Sequence, residues 1–203
     1  NGCEAEETVT LTDPPQPVAN IISNNSTICE LDANGNQSTI QLDGEVFDHF
    51  GYSWDDGLNP SGIFYPSNSL TPTYTPPIGY TGNINITLTA NGNPSIPCPD
   101  VSDNMILTIS PQATAEAGPT ATICVGGSYT LSGTSAPNSN GVNWTHNGQG
   151  NLTDANTLTP TYISDPTDGP TVTLTLTATG ISPCNDVSDN MILTISPQAT
   201  AEA

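Results

Sequence analysis

An eighteen-residue segment, DVSDNMILTISPQATAEA, occurs twice in this chain, at residues 100–117 and again at residues 186–203. The two copies are identical and lie 86 residues apart, so the chain contains tandem repeats. This period is longer than the roughly 20–50 residues of solenoid and propeller units, which cannot fold alone. It fits a self-contained domain, since a small β-sandwich needs about 100 residues.

The repeats predict the domain organisation. We expect two full domains, at residues 13–110 and 111–196. Residues 1–12 resemble the end of a repeat, because a cysteine and an acidic patch precede an alternating strand there. Residues 197–203 resemble the start of the next repeat, so the chain is expected to be a piece of a longer array. The printed sequence contains no signal peptide and no membrane-spanning apolar run.

Strand patterns dominate both repeats. Residues 172–178, VTLTLTA, place apolar side chains on one face and threonines on the other, which is typical of a half-buried antiparallel strand. Residues 84–90 repeat this pattern, and residues 105–109 and 191–195 predict the last strand of each domain. Gly and Pro number 18 and 19 and punctuate the strands at short intervals, as a sandwich requires. Trp54 and Trp144 fall at equivalent positions on a middle strand and are expected to be core anchors.

The charge balance excludes several partners. The chain has no Lys or Arg and 20 Asp and Glu residues, which gives a formal charge of −20. Binding to nucleic acid or to an anionic membrane through a basic patch is therefore excluded. Mutual repulsion of the carboxylates predicts that salt and mild acid stabilise the fold.

Chemistry-bearing residues are sparse. No GxSxG, HExxH or phosphate-binding loop occurs, and the two histidines occupy non-equivalent positions, so we predict no enzymatic activity and no catalytic residues. No cofactor is expected except calcium, which prefers six to eight oxygen ligands. The candidate calcium ligands are Asp186 and Asp189 with Glu116 in the second domain, and Asp100 and Asp103 in the first. Solvated surface acids are the alternative interpretation of the same residues.

Five cysteines, at positions 3, 29, 98, 124 and 184, recur at equivalent places in the repeats without a CxxC pair. This pattern indicates disulfides rather than a metal finger. Disulfides in turn indicate an oxidising, extracellular compartment, either at the cell surface or after secretion.

The order of landmarks in the second repeat resembles that of PKD-like, immunoglobulin-like repeats, in particular those of giant surface adhesins of gliding Bacteroidota that are exported by the type IX secretion system. The landmarks are PQATAEAGPTATICVGGSYTLSG at 111–133, Trp144, LTPTY at 158–162, TVTLTLTATG at 171–180 and PCNDVSDNMILTI at 183–195. The first repeat carries the same series, and its WDDG at 54–57 resembles the WDFGDG signature of PKD domains. The second repeat departs from that signature with WTHNG at 144–148.

The resemblance implies an all-β fold of tandem immunoglobulin-like (PKD-like) β-sandwiches arranged end to end. It implies a stalk or fibre segment of a repetitive extracellular adhesin that serves adhesion or gliding motility. Its partners would be neighbouring repeats of the same chain, and a surface polysaccharide or a solid substratum. Two alternatives stay open: a carbohydrate-binding module that uses the aromatics Phe47, Phe64 and Tyr65 of the first domain, and an accessory PKD-like domain of a secreted hydrolase. The same aromatics are otherwise interpreted as additional core or loop anchors.

The disulfide pairing has two solutions. One places a bridge inside each domain, Cys29–Cys98 and Cys124–Cys184. In an immunoglobulin-like sandwich, however, the early and late loops that hold these cysteines lie at opposite poles. End-to-end stacking would instead bring Cys29 to Cys184 across the joint and leave Cys124 for the late cysteine of a third domain. The topology favours this joint-spanning pattern, and Cys3 would be the late cysteine of a preceding repeat.

Overall fold

The structure is a computed structural model that describes residues 14–95 and 98–198. Across this part of the chain the regular elements are β-strands, which confirms the prediction of an all-β fold. No helix in the described ranges is long and apolar enough to cross a membrane. The segments 1–12 and 199–203, which were expected to belong to neighbouring repeats, lie outside the described residues.

The strands divide into two groups with separate hydrophobic cores. The first sandwich contains β1 (Val18–Ile21), β2 (Ser26–Cys29), β3 (Ile40–Gln41), β4 (Gly44–Phe47), β5 (Gly51–Asp55), β6 (Ile63–Tyr65), β7 (Thr73–Thr75), β8 (Gly82–Asn91) and β9 (Val101–Ser110). The second contains β10 (Ala121–Cys124), β11 (Ser128–Thr130), β12 (Ser139–His146), β13 (Asn151–Thr153), β14 (Thr161–Ile163), β15 (Thr171–Gly180) and β16 (Val187–Ser196).

Both sandwiches have the same sheet topology. A four-stranded sheet has the order β2-β9-β8-β5 in the first and β10-β16-β15-β12 in the second. A three-stranded sheet faces it, with the order β3-β7-β6 in the first and β11-β14-β13 in the second. In the first sandwich β1 also pairs with β4.

Period-two alternation builds the cores, as the sequence predicts. On β15 the side chains of Val172, Leu174 and Leu176 are fully buried, while the threonines between them face outward. Trp54 and Trp144 lie in the two cores, on β5 and β12. These strands are edge strands of their four-stranded sheets, although they lie in the middle of each repeat's sequence. Each indole N–H donates to a backbone carbonyl at 3.1 Å, which satisfies the polar atom that burial would otherwise leave unpaired.

The early strands β2 and β10 pair in parallel with the last strands β9 and β16. Cys29 is thereby placed opposite Ser110, at the end of β9, and Cys124 opposite Ser196, at the end of β16. Each early cysteine therefore lies at the end of its sandwich where the chain leaves. We call this the exit end, and the opposite end, where the last strand begins, the entry end.

Candidate functional site: the bridged joint

A disulfide joins the two sandwiches. Cys29, at the exit end of the first, is bonded to Cys184, in the β15–β16 loop at the entry end of the second. The Cα atoms of the two residues lie 4.9 Å apart although 155 residues separate them in sequence. The side chains are only 7% and 8% exposed, so the bridge is enclosed by the joint.

The loop that presents Cys184 is built around a glycine. The backbone N–H of Gly180 donates to the carboxylate of Asp186 at 2.9 Å, and that of Cys184 donates to the carbonyl of Ile181 at 2.9 Å. A Cβ atom at Gly180 would overlap the carbonyl oxygens of Cys184 and Asn185. Glycine is therefore required where the loop folds back on the strand.

The segment between β9 and β10 connects the two sandwiches, and we call it the connector. Both sandwiches form hydrogen bonds with it, most of them through Gln112. Its side-chain amide donates to the carbonyl of Asn185 in the second sandwich at 3.0 Å. Its backbone N–H donates to the carboxylate of Glu30 in the first at 3.3 Å, and its carbonyl accepts from the side chain of Asn138 in the second at 3.3 Å. The bridge sulfur of Cys184 lies 3.5 Å from the carbonyl oxygens of Ser110 and Pro111, a van der Waals contact because a disulfide sulfur carries no hydrogen.

The bridges inside single domains, Cys29–Cys98 and Cys124–Cys184, are not formed. In the first sandwich the ten-residue strand β9 lies between the two cysteines, so they are about 30 Å apart at roughly 3.3 Å per residue. Disulfide geometry requires Cα atoms within about 7 Å. Among the described residues, Cys98 is half-buried, Cys124 is exposed, and neither carries a disulfide. Cys3 lies outside the described residues.

The candidate calcium ligands, which the sequence also allows as solvated surface acids, do not form a cluster in the structure. In the ranges that the structure describes, no group of three or more His, Cys, Asp or Glu residues could hold a metal ion. The aspartates instead accept hydrogen bonds from separate backbone N–H groups. Asp186, Asp189, Asp100 and Asp103 accept from Gly180, Ala117, Gly92 and Ile21 at 2.8–2.9 Å. Glu116 takes part in a backbone bridge with Ser135.

The aromatic patch of the first domain is only partly at the surface. Phe64 packs against the core, with its ring centroid 6.3 Å from that of Trp54 and 4.6 Å from that of Tyr74, so it is not an exposed binding residue. Its neighbour Tyr65 is 74% exposed and Phe47 is 53% exposed. The reason is the alternation of β6, where Phe64 lies opposite the buried Tyr74 and Tyr65 points the other way.

Each sandwich also contains a tyrosine hydroxyl bound to a carboxylate. Tyr74 donates to Asp56 at 2.7 Å, and burial together with this bond raises the pKa of Tyr74 above its usual value. Burial would raise the pKa of Asp56, but the bonds from Tyr74, two backbone N–H groups and Ser61 outweigh it and lower the pKa. In the second sandwich, burial and the bond to Asp168 raise the pKa of Tyr162 to about 12. These pairs satisfy buried polar groups within each core and lie apart from the joint residues.

Sequence reasoning missed two contributors to the joint, Gln112 and Gly180. The SPQ triplet at 110–112 recurs at 196–198, and a Gly occurs at matching positions before the late cysteines, as Gly92 and Gly180. The recurrence of both features was the available signal, but a repeated polar residue does not by itself reveal its partner.

The fold is similar to that of known immunoglobulin domains. The insect immune protein hemolin superposes with a TM-score of 0.52 at 13% identity, covering 89% of this chain and 47% of hemolin's. Immunoglobulin domains 1–4 of Sidekick-1 superpose with a TM-score of 0.48 at 14% identity, covering 92% of this chain and 51% of the Sidekick-1 chain. An I-band fragment of titin gives a TM-score of 0.47 at 12% identity, covering 90% of this chain and 67% of the fragment. The chain spans about half the length of the first two structures. At such identities the likeness shows the fold alone, and the fold is immunoglobulin-like.

No protein-family model matches the chain, and no curated protein sequence matches it.

Proposed function

We propose that this chain is a structural stalk segment of a repetitive extracellular cell-surface adhesin, in which covalent bridges fix the joints between consecutive sandwiches. The observation that carries the proposal is the Cys29–Cys184 bond between two otherwise separate cores. With the connector, it forms a second covalent link at the joint. A doubly linked joint resists bending and twisting, as a stalk under tension requires.

The extracellular location is supported by the same bond. Disulfides form and persist in oxidising compartments and are rare in the cytosol. A surface without any Lys or Arg also offers no cleavage site to trypsin-like proteases, which suits long exposure outside a cell. We therefore assign the chain to the cell surface or the secreted fraction, and assign it no enzymatic activity.

The assignment to adhesins of the gliding type rests on the motif resemblance described above. In this role, the chain contacts neighbouring repeats directly, and the adhesin as a whole attaches to a polysaccharide or solid substratum. Hemolin, whose arrangement of domains is described as having implications for homophilic adhesion, illustrates a comparable use of such domains in another protein.

Small-angle X-ray scattering tests the stalk. Ten-residue strands span about 33 Å, so two stacked sandwiches with their end loops should form a rod of about 80–90 Å with a radius of gyration of roughly 25 Å. A single globule of this length would have a radius of gyration of about 17 Å. The matched control is the double variant Cys29→Ser/Cys184→Ser, which should keep both sandwiches but broaden the distribution of inter-sandwich angles. A profile near 17 Å for the bridged protein would refute the stalk.

A second function, carbohydrate binding by the first sandwich, is favoured by the exposure of Tyr65 and Phe47. Tyr65 lies opposite Thr73 on β7, and Thr153 occupies the matching position opposite Thr161 in the second sandwich. Tyr65→Thr therefore introduces the residue of the other repeat and should preserve the fold. Glycan-array binding that is lost in this variant would support the module, whereas no glycan binding by the unmodified chain would end it. A neighbouring catalytic domain in the full reading frame would favour the third role, an accessory domain of a hydrolase.

A further inference from the structure

Among the described residues, the two cysteines without a bridge lie at the two outer ends of the pair of sandwiches. Cys124 is at the exit end of the second sandwich, and Cys98 is at the entry end of the first. These are the structural equivalents of Cys29 and Cys184, which are bonded to each other at the inner joint. Each outer end therefore presents one half of a joint whose complete form is visible in the same molecule.

The exit end of the second sandwich reproduces that of the first. Cys124 pairs with Ser196 in the parallel register that Cys29 has with Ser110. The residue after each cysteine donates its backbone N–H to that serine carbonyl, at 2.9 Å in the second sandwich and 2.8 Å in the first. The same SPQ triplet follows in both, so Gln198 takes the place of Gln112. Cys124 is exposed only because nothing among the described residues covers this end as the second sandwich covers Cys29.

The entry end of the first sandwich reproduces that of the second. The backbone N–H of Gly92 donates to the carboxylate of Asp100 at 2.8 Å, matching the bond from Gly180 to Asp186 at 2.9 Å. A Cβ atom at Gly92 would overlap the carbonyl of Cys98, just as one at Gly180 would overlap that of Cys184. The left-handed backbone of Asn138, which contacts Gln112 in the joint, has its counterpart in the left-handed Asp48.

As far as the described residues go, this entry end is also open to a partner. Cys98 lines a surface cavity of about 170 Å³ together with Asp48, His49 and the 69% exposed Phe50. A loop of another sandwich can therefore reach the thiol of Cys98 at this end.

We infer that Cys98 and Cys124 are the bonding groups of two further joints, and that the partner at each is another β-sandwich presenting the complementary end. Cys98 receives the early cysteine of a sandwich before it, and Cys124 bonds the late cysteine of a sandwich after it. Each bond removes two protons and two electrons from two thiols, and a small-molecule disulfide such as oxidised glutathione accepts them and becomes two thiols. The inference rests on the proposed stalk, which it extends from one bridged joint to a continuous series.

A second copy of this chain is a suitable probe, because its entry end offers Cys98 to the Cys124 of the first copy. All proteins carry Cys3→Ser, so that Cys98 and Cys124 are the thiols outside the inner bridge. They are incubated at high concentration in a glutathione redox buffer and separated without reductant. The parent should form a ladder of covalent oligomers. Cys98→Ser alone and Cys124→Ser alone should stay monomeric, whereas their equimolar mixture should form a dimer and nothing larger, at least about tenfold more than either variant alone.

Peptide mapping with a protease that cleaves at acidic or aromatic residues identifies the bond, since the chain has no tryptic site. A peptide linking Cys98 to Cys124 is the expected product. Equal dimerisation of the single variants would show symmetric, unspecific oxidation and would overturn the inference, as would the absence of cross-links in the mixture. Scattering from the same monomers reports the inner joint separately. A rod without cross-linking would therefore refute the outer joints alone, and a globule would refute the stalk.

Discussion

The Cys29–Cys184 bridge determines which part of the chain carries load when its ends are pulled apart. From residue 14 the covalent path runs along the backbone to Cys29, crosses the bridge and leaves through Cys184 towards residue 198. The backbone between the two cysteines becomes a closed loop that is not under tension. That loop contains β3 to β15, so most of the backbone of both sandwiches bears no tension while force is applied.

The bridge prevents the chain between its two cysteines from extending under force, and the length of that chain follows from their positions in the sequence. The bonded residues are 155 apart in sequence, whereas their Cα atoms lie 4.9 Å apart. At about 3.3–3.6 Å per residue, unfolding this loop without the bridge would release about 510–560 Å of chain. With the bridge, only residues 14–29 and 184–198 can extend, and their total extended length is about 100 Å by the same estimate.

Force spectroscopy in optical tweezers measures this difference. Handles are attached by ligase tags at both termini, and Cys3, Cys98 and Cys124 are replaced by Ser in every protein. The perturbation is the further double substitution Cys29→Ser/Cys184→Ser. Because the handles and the terminal segments are the same in both proteins, the difference in total released length reports the loop alone. We expect the unbridged protein to release about 510–560 Å more.

Other outcomes would identify other pairings. In proteins that keep Cys98 and Cys124, bridges inside each sandwich would hold back about 230–250 Å and about 200–215 Å of chain in two separate loops, and each loop would be released when its own cysteine pair is replaced. Equal release by the bridged and unbridged proteins would show that the bridge does not lie in the load path, and would refute the reasoning.

Four further predictions concern stability and assembly. Trp144→Ala should cost the second sandwich about 3–5 kcal/mol in urea unfolding, as loss of a large buried aromatic does, and an unchanged midpoint would contradict its role as a core anchor. The pKa of Asp56 is lower in the folded state than its unfolded value of about 3.9, so its contribution to stability is present above about pH 3.9 and should be lost as the pH falls through the folded-state pKa. Asp56→Asn should therefore reduce the fall in melting temperature that acid causes in this range. Raising the salt to about 1 M should increase the melting temperature of a chain with charge −20, and a flat response would show that repulsion is negligible. Gly180→Ala should displace Cys184 and increase the thiols detected without reductant, whereas Gly169→Ala, whose Cβ would meet only a carbonyl oxygen at 3.9 Å, should not.

The lowered pKa values limit the pH range in which acid is expected to stabilise the protein. Net charge implies that acid relieves repulsion, but the pKa values of Asp32, Asp56, Asp165 and Asp168 are all lowered by hydrogen bonds in the fold. For these groups protonation removes stabilising bonds, so acid below about pH 4 should destabilise the protein. A count of carboxylates cannot show this, because it does not reveal which of them accept backbone N–H groups.

Much of the fold was predictable because its signals are local. The alternation in residues 172–178 determines which side chains of β15 face the core, and the long last strand keeps the early and late cysteines of one sandwich apart. The parallel pairing of β2 with β9 was not predictable, since the STIC segment has the same alternation whichever strand it joins. Which of the two aromatics Phe64 and Tyr65 faces the core was not predictable for a related reason: adjacent residues on a strand face opposite ways, and the sequence does not say which one faces inward.

The two repeats also show what the core requires of its polar groups. Asp56 follows Trp54 by two residues, and the matching position after Trp144 holds His146, which cannot supply a carboxylate. Six residues after the buried tyrosine, the first repeat has Tyr80 and the second has Asp168, and this aspartate binds the Tyr162 hydroxyl at 2.9 Å.

The carboxylate therefore reaches the same hydroxyl from the residue after β5 in one sandwich and from the β14–β15 loop in the other. An unpaired buried hydroxyl costs about 1–3 kcal/mol, which is enough to maintain the pair while its position in the sequence changes. The departure from WDDG to WTHNG is thus compensated within the same repeat. A motif search that demands the aspartate after the tryptophan would overlook a sandwich that satisfies the same physical requirement by another route.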